Sequence, residues 1–255
     1  MSRRLNDDQV QQFREDGYCS VAEFLTAAEV EEICTEITAI VERYPDDGGM
    51  VQLEPAVAAG EISPERTELG VRKLMSMATQ NPLFRRIGFH PNVVGIARQL
   101  LGPDFSLLQS MALMKPPRFG TPKVWHQDNA YFGLEPADVF GFWVACDDAD
   151  IDNGCMHLVP GSHQAGTRPH AGSSDLLGLL DQPDPGQVVP VPLRAGDALV
   201  FSAEIFHHTP DNTTNRRRRA LQYHYAARHC RRRGEEEAAR SLGEIVVAGV
   251  GAEQP

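Results

Sequence analysis

Apolar positions in the first hundred residues recur at helical spacing. Between Asn6 and Asp16, Val10 and Phe13 share one face, with Asn6 as the N-cap and Gly17 as the stop. Thr26 caps a longer stretch in which Val30, Ile33, Cys34, Ile37 and Val41 repeat on one face, and Pro45-Asp46-Asp47-Gly48-Gly49 ends it as a loop. Asn81-Pro82 starts another helical stretch. Pro91 to Leu101 is a third, stopped by Gly102-Pro103. Tyr18 to Ala22 reads as a short strand, while residues 50–70, acidic and punctuated by Pro and Gly, predict a loop holding one strand.

From Phe105 the pattern changes to short apolar runs separated by turn signals. Phe105 to Met114, Val139 to Cys146, Cys155 to Val159 and Val188 to Leu193 are strands by this reading. Arg194-Ala195-Gly196-Asp197 is a tight turn into Ala198 to Ser202, and Arg219 to Ala227 closes the set. Helices followed by short strands predict a mainly β (α+β) fold, a sandwich or barrel with helices packed outside. Residues 164–186, rich in Gly, Ser, Pro and Asp, are long for a loop and suit a lid over a site.

Composition narrows the class. A chain of 255 residues with 42% hydrophobic and 23% charged residues can bury the core of one large domain. We divide residues 1–255 into a helical part (1–103), a β core (104–230) and a tail (231–255). The net charge of -11 disfavours nucleic acid and anionic membranes as partners. There is no apolar leader and no run long enough to span a bilayer. The five cysteines are odd in number and scattered, as expected of reduced thiols in a cytoplasmic protein.

Candidate chemistry centres on Trp125-His126-Gln127-Asp128. On an extended strand, His126 and Asp128 would point to the same face. With one distant imidazole from Phe206-His207-His208-Thr209-Pro210 they would make a 2-His-1-carboxylate set, which holds ferrous iron and leaves positions open. His207 and His208 are adjacent, so only one of them can face inward.

The chain resembles the phytanoyl-CoA dioxygenase family of Fe(II)/2-oxoglutarate-dependent oxygenases over roughly residues 5–230. The stretches that carry the resemblance are Met114-Lys115-Pro116-Pro117, Trp125 to Asp128 with Tyr131-Phe132, Trp143, Asn153-Gly154-Cys155, Pro160-Gly161-Ser162-His163, and His207 through Ala220. In that family a hydroxyl residue follows the distal histidine by two positions and an arginine by eleven. Counting from His207 gives Thr209 and Arg218; counting from His208 gives Pro210 and Arg219. The resemblance therefore implies His126, Asp128 and His207 as catalytic metal ligands, with Arg218 and Thr209 on the far carboxylate of 2-oxoglutarate and Trp143 packed beside it. It implies a double-stranded β-helix (jelly-roll, cupin-like) with helices outside, using Fe(II), 2-oxoglutarate and O2. The activity implied is oxidation of a small molecule, by hydroxylation above all, with release of succinate and CO2. Relatives that halogenate have a small residue in place of the aspartate, so Asp128 favours hydroxylation.

Residue chemistry agrees with these roles. Two neutral imidazoles and one carboxylate leave Fe(II) with one positive charge for a dianionic chelator, and Arg218 offers the planar fork that a lysine lacks. The competing readings are a non-catalytic metal-binding cupin and a zinc hydrolase, the latter leaving Arg218 without a partner. Of the remaining histidines (His90, His157, His163, His170, His224, His229), only His157 and His163 are expected near substrate; Trp125, Tyr131 and Phe132 are candidate pocket residues. Lys115 is expected to be structural or at the rim. The arginine runs 216–219 and 231–233 are read as solvated or acid-paired apart from Arg218, or more sharply as a phosphate patch for a coenzyme A thioester. A secondary-metabolite intermediate and a lipid acid are the other candidate substrates. Substrate choice is assigned to loops, here 45–70 and 164–186.

Overall fold

The computed structural model describes residues 3–43, 50–172, 176–233 and 246–247. Helix α1 (Asp7–Asp16) opens with a capping box: the Asn6 side chain accepts from the Gln9 N–H, and the Gln9 side chain accepts from the Asn6 N–H. It ends at Gly17, whose φ of 84° is the left-handed C-cap conformation. Strand β1 (Tyr18–Val21) follows, then α2 (Ala27–Arg43), which buries Val30, Ile33, Ile37, Ile40 and Val41. The loop expected at Pro45 to Gly49 lies outside the described residues.

Residues 50–75 depart from expectation. They hold β2 (Val51–Leu53), a one-turn helix at Pro55–Ala58, a 3-10 turn at Thr67–Gly70, and a second strand, β3 (Val71–Met75). Strand β3 escapes the pattern because its central Arg72 and Lys73 line a cavity, which breaks the apolar alternation. Helices α3 (Pro82–Gly88) and α4 (Pro91–Leu101) form as expected, each with proline in its first turn.

The β part comprises β4 (Phe105–Lys115), β5 (Lys123–His126), β6 (Val139–Ala145), β7 (Met156–Leu158), β8 (Val189–Val191), β9 (Ala198–Ser202), β10 (His207–Thr209) and β11 (Arg218–Ala227). They make two antiparallel sheets. The larger runs β1-β9-β6-β11-β4-β3-β2, with Val246–Val247 joining β4, and the smaller runs β8-β7-β10-β5. This is the jelly-roll arrangement.

Strand β6 shows why the large sheet lies in the middle. Phe142 and Val144 belong to the cluster shared with the α2, α3 and α4 side chains, whereas Trp143 and Ala145 belong to the cluster between the sheets. A strand covered on both faces reads as an unbroken apolar run. Strand β11 divides likewise: Leu221, Tyr223 and Tyr225 face the helices, and the Tyr223 and Tyr225 hydroxyls donate to carbonyls of α3, at Phe84 (2.9 Å) and Gly88 (2.6 Å). Gly141 has a steric reason, since a Cβ there would lie 2.5 Å from the Phe201 ring. That close approach leaves the ring edge-on to His207, with centroids 5.2 Å apart.

Candidate functional site

The site lies between the two sheets. His126 is the last residue of β5, His207 the first of β10, and the two are directly paired on neighbouring antiparallel strands. Opposed positions of such a ladder bring side chains together, and the imidazole centroids stand 4.1 Å apart. His126 Nδ1 lies 2.8 Å from the Val124 carbonyl and His207 Nδ1 3.0 Å from the Ile205 carbonyl. A carbonyl only accepts, so each Nδ1 carries its proton and each Nε2 presents a lone pair. Burial, with His126 adding to it, pushes the pKa of His207 down to about 3, so its ring is neutral at pH 7.

Asp128 reaches the same point by a route the strand argument did not foresee. Strand β5 stops at His126. Asp128 has helical angles (φ -64°, ψ -32°) and leads into the single turn Asn129–Phe132. The ladder breaks because Gln127 is held elsewhere. Its N–H donates to His170 Nε2 (3.1 Å), and its side chain donates to Gly166 O (2.9 Å) and to the buried Glu204 carboxylate (3.0 Å). Asn129 Nδ2 donates to the other Glu204 oxygen at 2.8 Å. Clamped on both sides, Asp128 turns inward. Its Oδ1 is 3.4 Å from His126 Nε2 and its Oδ2 3.6 Å from His207 Nε2. One donor atom from each of the three residues lies within 4.8 Å of the others, all buried. Two neutral imidazole nitrogens and one carboxylate at these separations fit a divalent first-row metal with positions left open. Burial alone would raise the Asp128 pKa, but His224 above all outweighs it and the carboxyl is held well below its usual range.

Beside this cluster is a cavity of about 290 Å³. Thr209 and Trp143 line it, as does Arg218, which is 2% exposed. Arg218 Nη1 donates to Leu113 O at 3.1 Å, but its Nε is buried without a partner, and no described carboxylate pairs with the group. Its Cζ sits 5.3 Å from the Trp143 ring centroid, and Trp143 Nε1 is also buried without a partner. Burial lowers the Arg218 pKa only to about 10, so it stays charged. A buried cation with an open donor beside a metal-ligand cluster is fitted to a carboxylate-bearing chelator. Lys115, expected to be structural or at the rim, is a buried part of the cavity wall. Its Nζ donates to Thr121 O, and burial, then Arg218 and Arg72, lowers its pKa.

Other expectations fare differently. Tyr131 lines the cavity. Trp125 does not: it stacks on His208 with centroids 4.2 Å apart, and His157 lies on the far side of His208, so all three sit on the outer face of the small sheet. His163 packs against α1 near Arg14 O. Phe132 packs edge-on to His224. The arginine runs are largely paired: Arg216 with Asp150, Arg217 with Glu68 at 2.6 Å, Arg219 with Asp147 at 2.8 Å, and Arg233 with Glu135 at 3.7 Å.

Three residues were missed by the sequence argument. His224 lies 2.7 Å from Asp128 Oδ2, Glu204 anchors both neighbours of Asp128, and His170 accepts from Gln127. Counting inward positions from Arg218 in steps of two would have reached Ala220, Gln222 and His224. Glu204 and His170 carry no such periodic signal.

Comparison with known proteins converges on one family. The pattern described as phytanoyl-CoA dioxygenase (PhyH) matches residues 13–220. Phytanoyl-CoA dioxygenase 1 of Oryza sativa subsp. japonica is 25% identical over 82% of this chain and 84% of its own length. The ectoine dioxygenase of Bordetella bronchiseptica is 30% identical over 63% of this chain and 50% of its own. Among solved structures, the apo non-heme monooxygenase ThoJ superposes with a TM-score of 0.72 at 25% identity, covering 96% of this chain and 85% of that one. EctD from S. alaskensis with 2-oxoglutarate and 5-hydroxyectoine shares the fold, with a TM-score of 0.69 at 21% identity over 88% and 76% of the two chains. With over four-fifths of its length inside that pattern, the chain belongs to the phytanoyl-CoA dioxygenase family and is a non-haem Fe(II)- and 2-oxoglutarate-dependent dioxygenase.

Proposed function

We propose that His126, Asp128 and His207 hold the Fe(II), that Arg218, Thr209 and Trp143 hold 2-oxoglutarate, and that one domain spanning the chain carries out the reaction. The observation that carries this reading is the buried Arg218, paired with no carboxylate among the described residues, opening into the same cavity as the three-residue cluster. When bound, the iron supplies the redox chemistry that couples 2-oxoglutarate decarboxylation, to succinate and CO2, with oxidation of the substrate by O2.

The chain's own residues position the reactants. The carbonyls of Val124 and Ile205 fix both imidazole tautomers with Nε2 inward. Arg218 presents a planar pair of donors to the far carboxylate of 2-oxoglutarate, Thr209 a hydroxyl, and Trp143 a flat wall. Lys115 is a further nitrogen donor in the same wall. Other lining residues, among them Met75, Gln109, Met111 and Tyr131, receive the substrate.

This lining suits a largely apolar small molecule with a few polar groups, such as a secondary-metabolite intermediate or a lipid acid. The relative named ectoine dioxygenase supports a small-molecule substrate. The paired arginines speak against a coenzyme A phosphate patch. The five unpaired thiols support a cytoplasmic setting, and no helix among the described residues is long and apolar enough to cross a membrane.

Anaerobic titration of Fe(II) with 2-oxoglutarate tests the reading. A visible charge-transfer band is expected in the wild type, absent in Asp128→Ala. In Arg218→Ala the band is expected to require about 100-fold more 2-oxoglutarate, roughly 2.7 kcal/mol. Iron binding without the band would move the assignment to a metal-binding cupin without catalysis.

A further inference from the structure

We propose that His224 is a positioning residue that divides the two oxygens of Asp128, holding Oδ2 by hydrogen bond so that Oδ1 alone meets the metal. The inference rests on the reading of His126, Asp128 and His207 as ligands.

His224 is fully buried on the inward face of β11, six residues beyond Arg218. Its Nε2 lies 2.7 Å from Asp128 Oδ2. A carboxylate only accepts, so Nε2 carries the proton. The other ring nitrogen, Nδ1, is buried without a partner, and the ring lies edge-on to Phe132 (5.0 Å) and Phe201 (6.1 Å). In the neutral Nε2–H tautomer that orphan is a lone pair. The Nδ1–H tautomer would instead leave an N–H donor stranded between aromatic rings, a larger loss. Of the two neutral tautomers, Nε2–H is the one that can donate to Asp128, with the Gln222 amide nitrogen 3.2 Å from the same ring atom. The Gln222 amide lies alongside, 3.4 Å from the same Oδ2.

Both hydrogen bonds that side chains outside the proposed ligand set make to the carboxylate fall on Oδ2, while Oδ1 faces His126 Nε2 at 3.4 Å. This asymmetry bears on coordination number. A carboxylate that binds through one oxygen leaves three of six positions open, two for 2-oxoglutarate and one for O2; binding through both would close one of them. Hydrogen bonds that orient a ligand from behind commonly alter metal affinity by 10- to 100-fold.

His224→Met and His224→Gln separate shape from hydrogen bonding, because the two replacements match in length and only glutamine donates. Anaerobic Co(II) titration, read by visible absorption, is expected to show affinity 10- to 100-fold weaker in His224→Met with a changed spectrum. His224→Gln should recover to within about 3-fold of wild type by keeping the donor. Wild-type affinity and spectrum in His224→Met, or equal weakening in both variants, would overturn the proposal. Asp128→Ala keeps the two readings apart: if it binds Co(II) like the wild type, the ligand assignment itself is wrong. A measurement on the unmodified chain decides the case if neither variant folds. In Zn(II)-loaded wild type, ¹⁵N-edited NMR of the imidazoles should place a slowly exchanging, downfield proton on His224 Nε2. An Nδ1–H tautomer there would refute it.

Discussion

A lysine at position 218 would keep the charge and lose the fork. Arg218 is enclosed by Leu113 O and the Trp143 ring, so Nζ of a lysine could replace one donor but not a planar pair. We expect Arg218→Lys to raise the KM for 2-oxoglutarate by about 10-fold or more while iron affinity stays near wild type, checked by succinate release and by metal titration. Thiol chemistry gives a second residue-scale outcome. The neighbouring Cys146 thiol, opposed by burial and helped by Arg219, lowers the Cys34 pKa, whereas burial pushes Cys19 up to about 12 and Cys155 up to about 11. A lower pKa means more thiolate at pH 8, so iodoacetamide should label Cys34 well before the other two, as peptide mass spectrometry will show. At this scale His126 was marked by its spacing from Asp128, and His207, Thr209 and Arg218 were proposed from the family resemblance; the structure brings all of them to one cavity. His224 and Glu204 were not legible, because each acts on a partner about a hundred or seventy-five residues away.

Among elements, the turn that delivers Asp128 depends on one buried carboxylate. Glu204 accepts from Gln127, Asn129 and Thr167, and so ties the segment after β5, the loop at 166–168 and the approach to β10 into one body. Glu204→Ala would remove three hydrogen bonds, two of them from buried amides, a loss of about 3 kcal/mol. That corresponds to a melting temperature roughly 6–12 °C lower in a scanning calorimeter. Metal affinity should fall as well, since Asp128 is flanked by two of the three donors. Strands β6 and β9 were plain in the sequence because both their faces are apolar. Strand β3 was hidden by its cavity-facing Arg72 and Lys73, and the bend after His126 by hydrogen bonds that no local pattern encodes.

For the whole molecule, ligand binding and stability are one equilibrium. The cluster joins β5 and β10 to the turn after β5, so a metal bound there favours the folded state. At a hundred times its Kd, the stabilisation is about 2.7 kcal/mol. Anaerobic Fe(II) should therefore raise the melting temperature by roughly 5–10 °C, and 2-oxoglutarate should add to it only when the metal is present. Asp128→Ala should abolish both increments. The pairing of His126 with His207 across the small sheet has a consequence for how such enzymes diversify. Strand register, not the length of chain between them, is the ruler for two of the three proposed ligands. A stretch such as residues 176–187 could be exchanged for a relative's without moving either imidazole. Deleting one residue from Val124 to His126, or from Phe206 to Thr209, would turn a ligand outward. The loop at 176–187 can thus change freely while the two imidazoles stay opposed in the ladder.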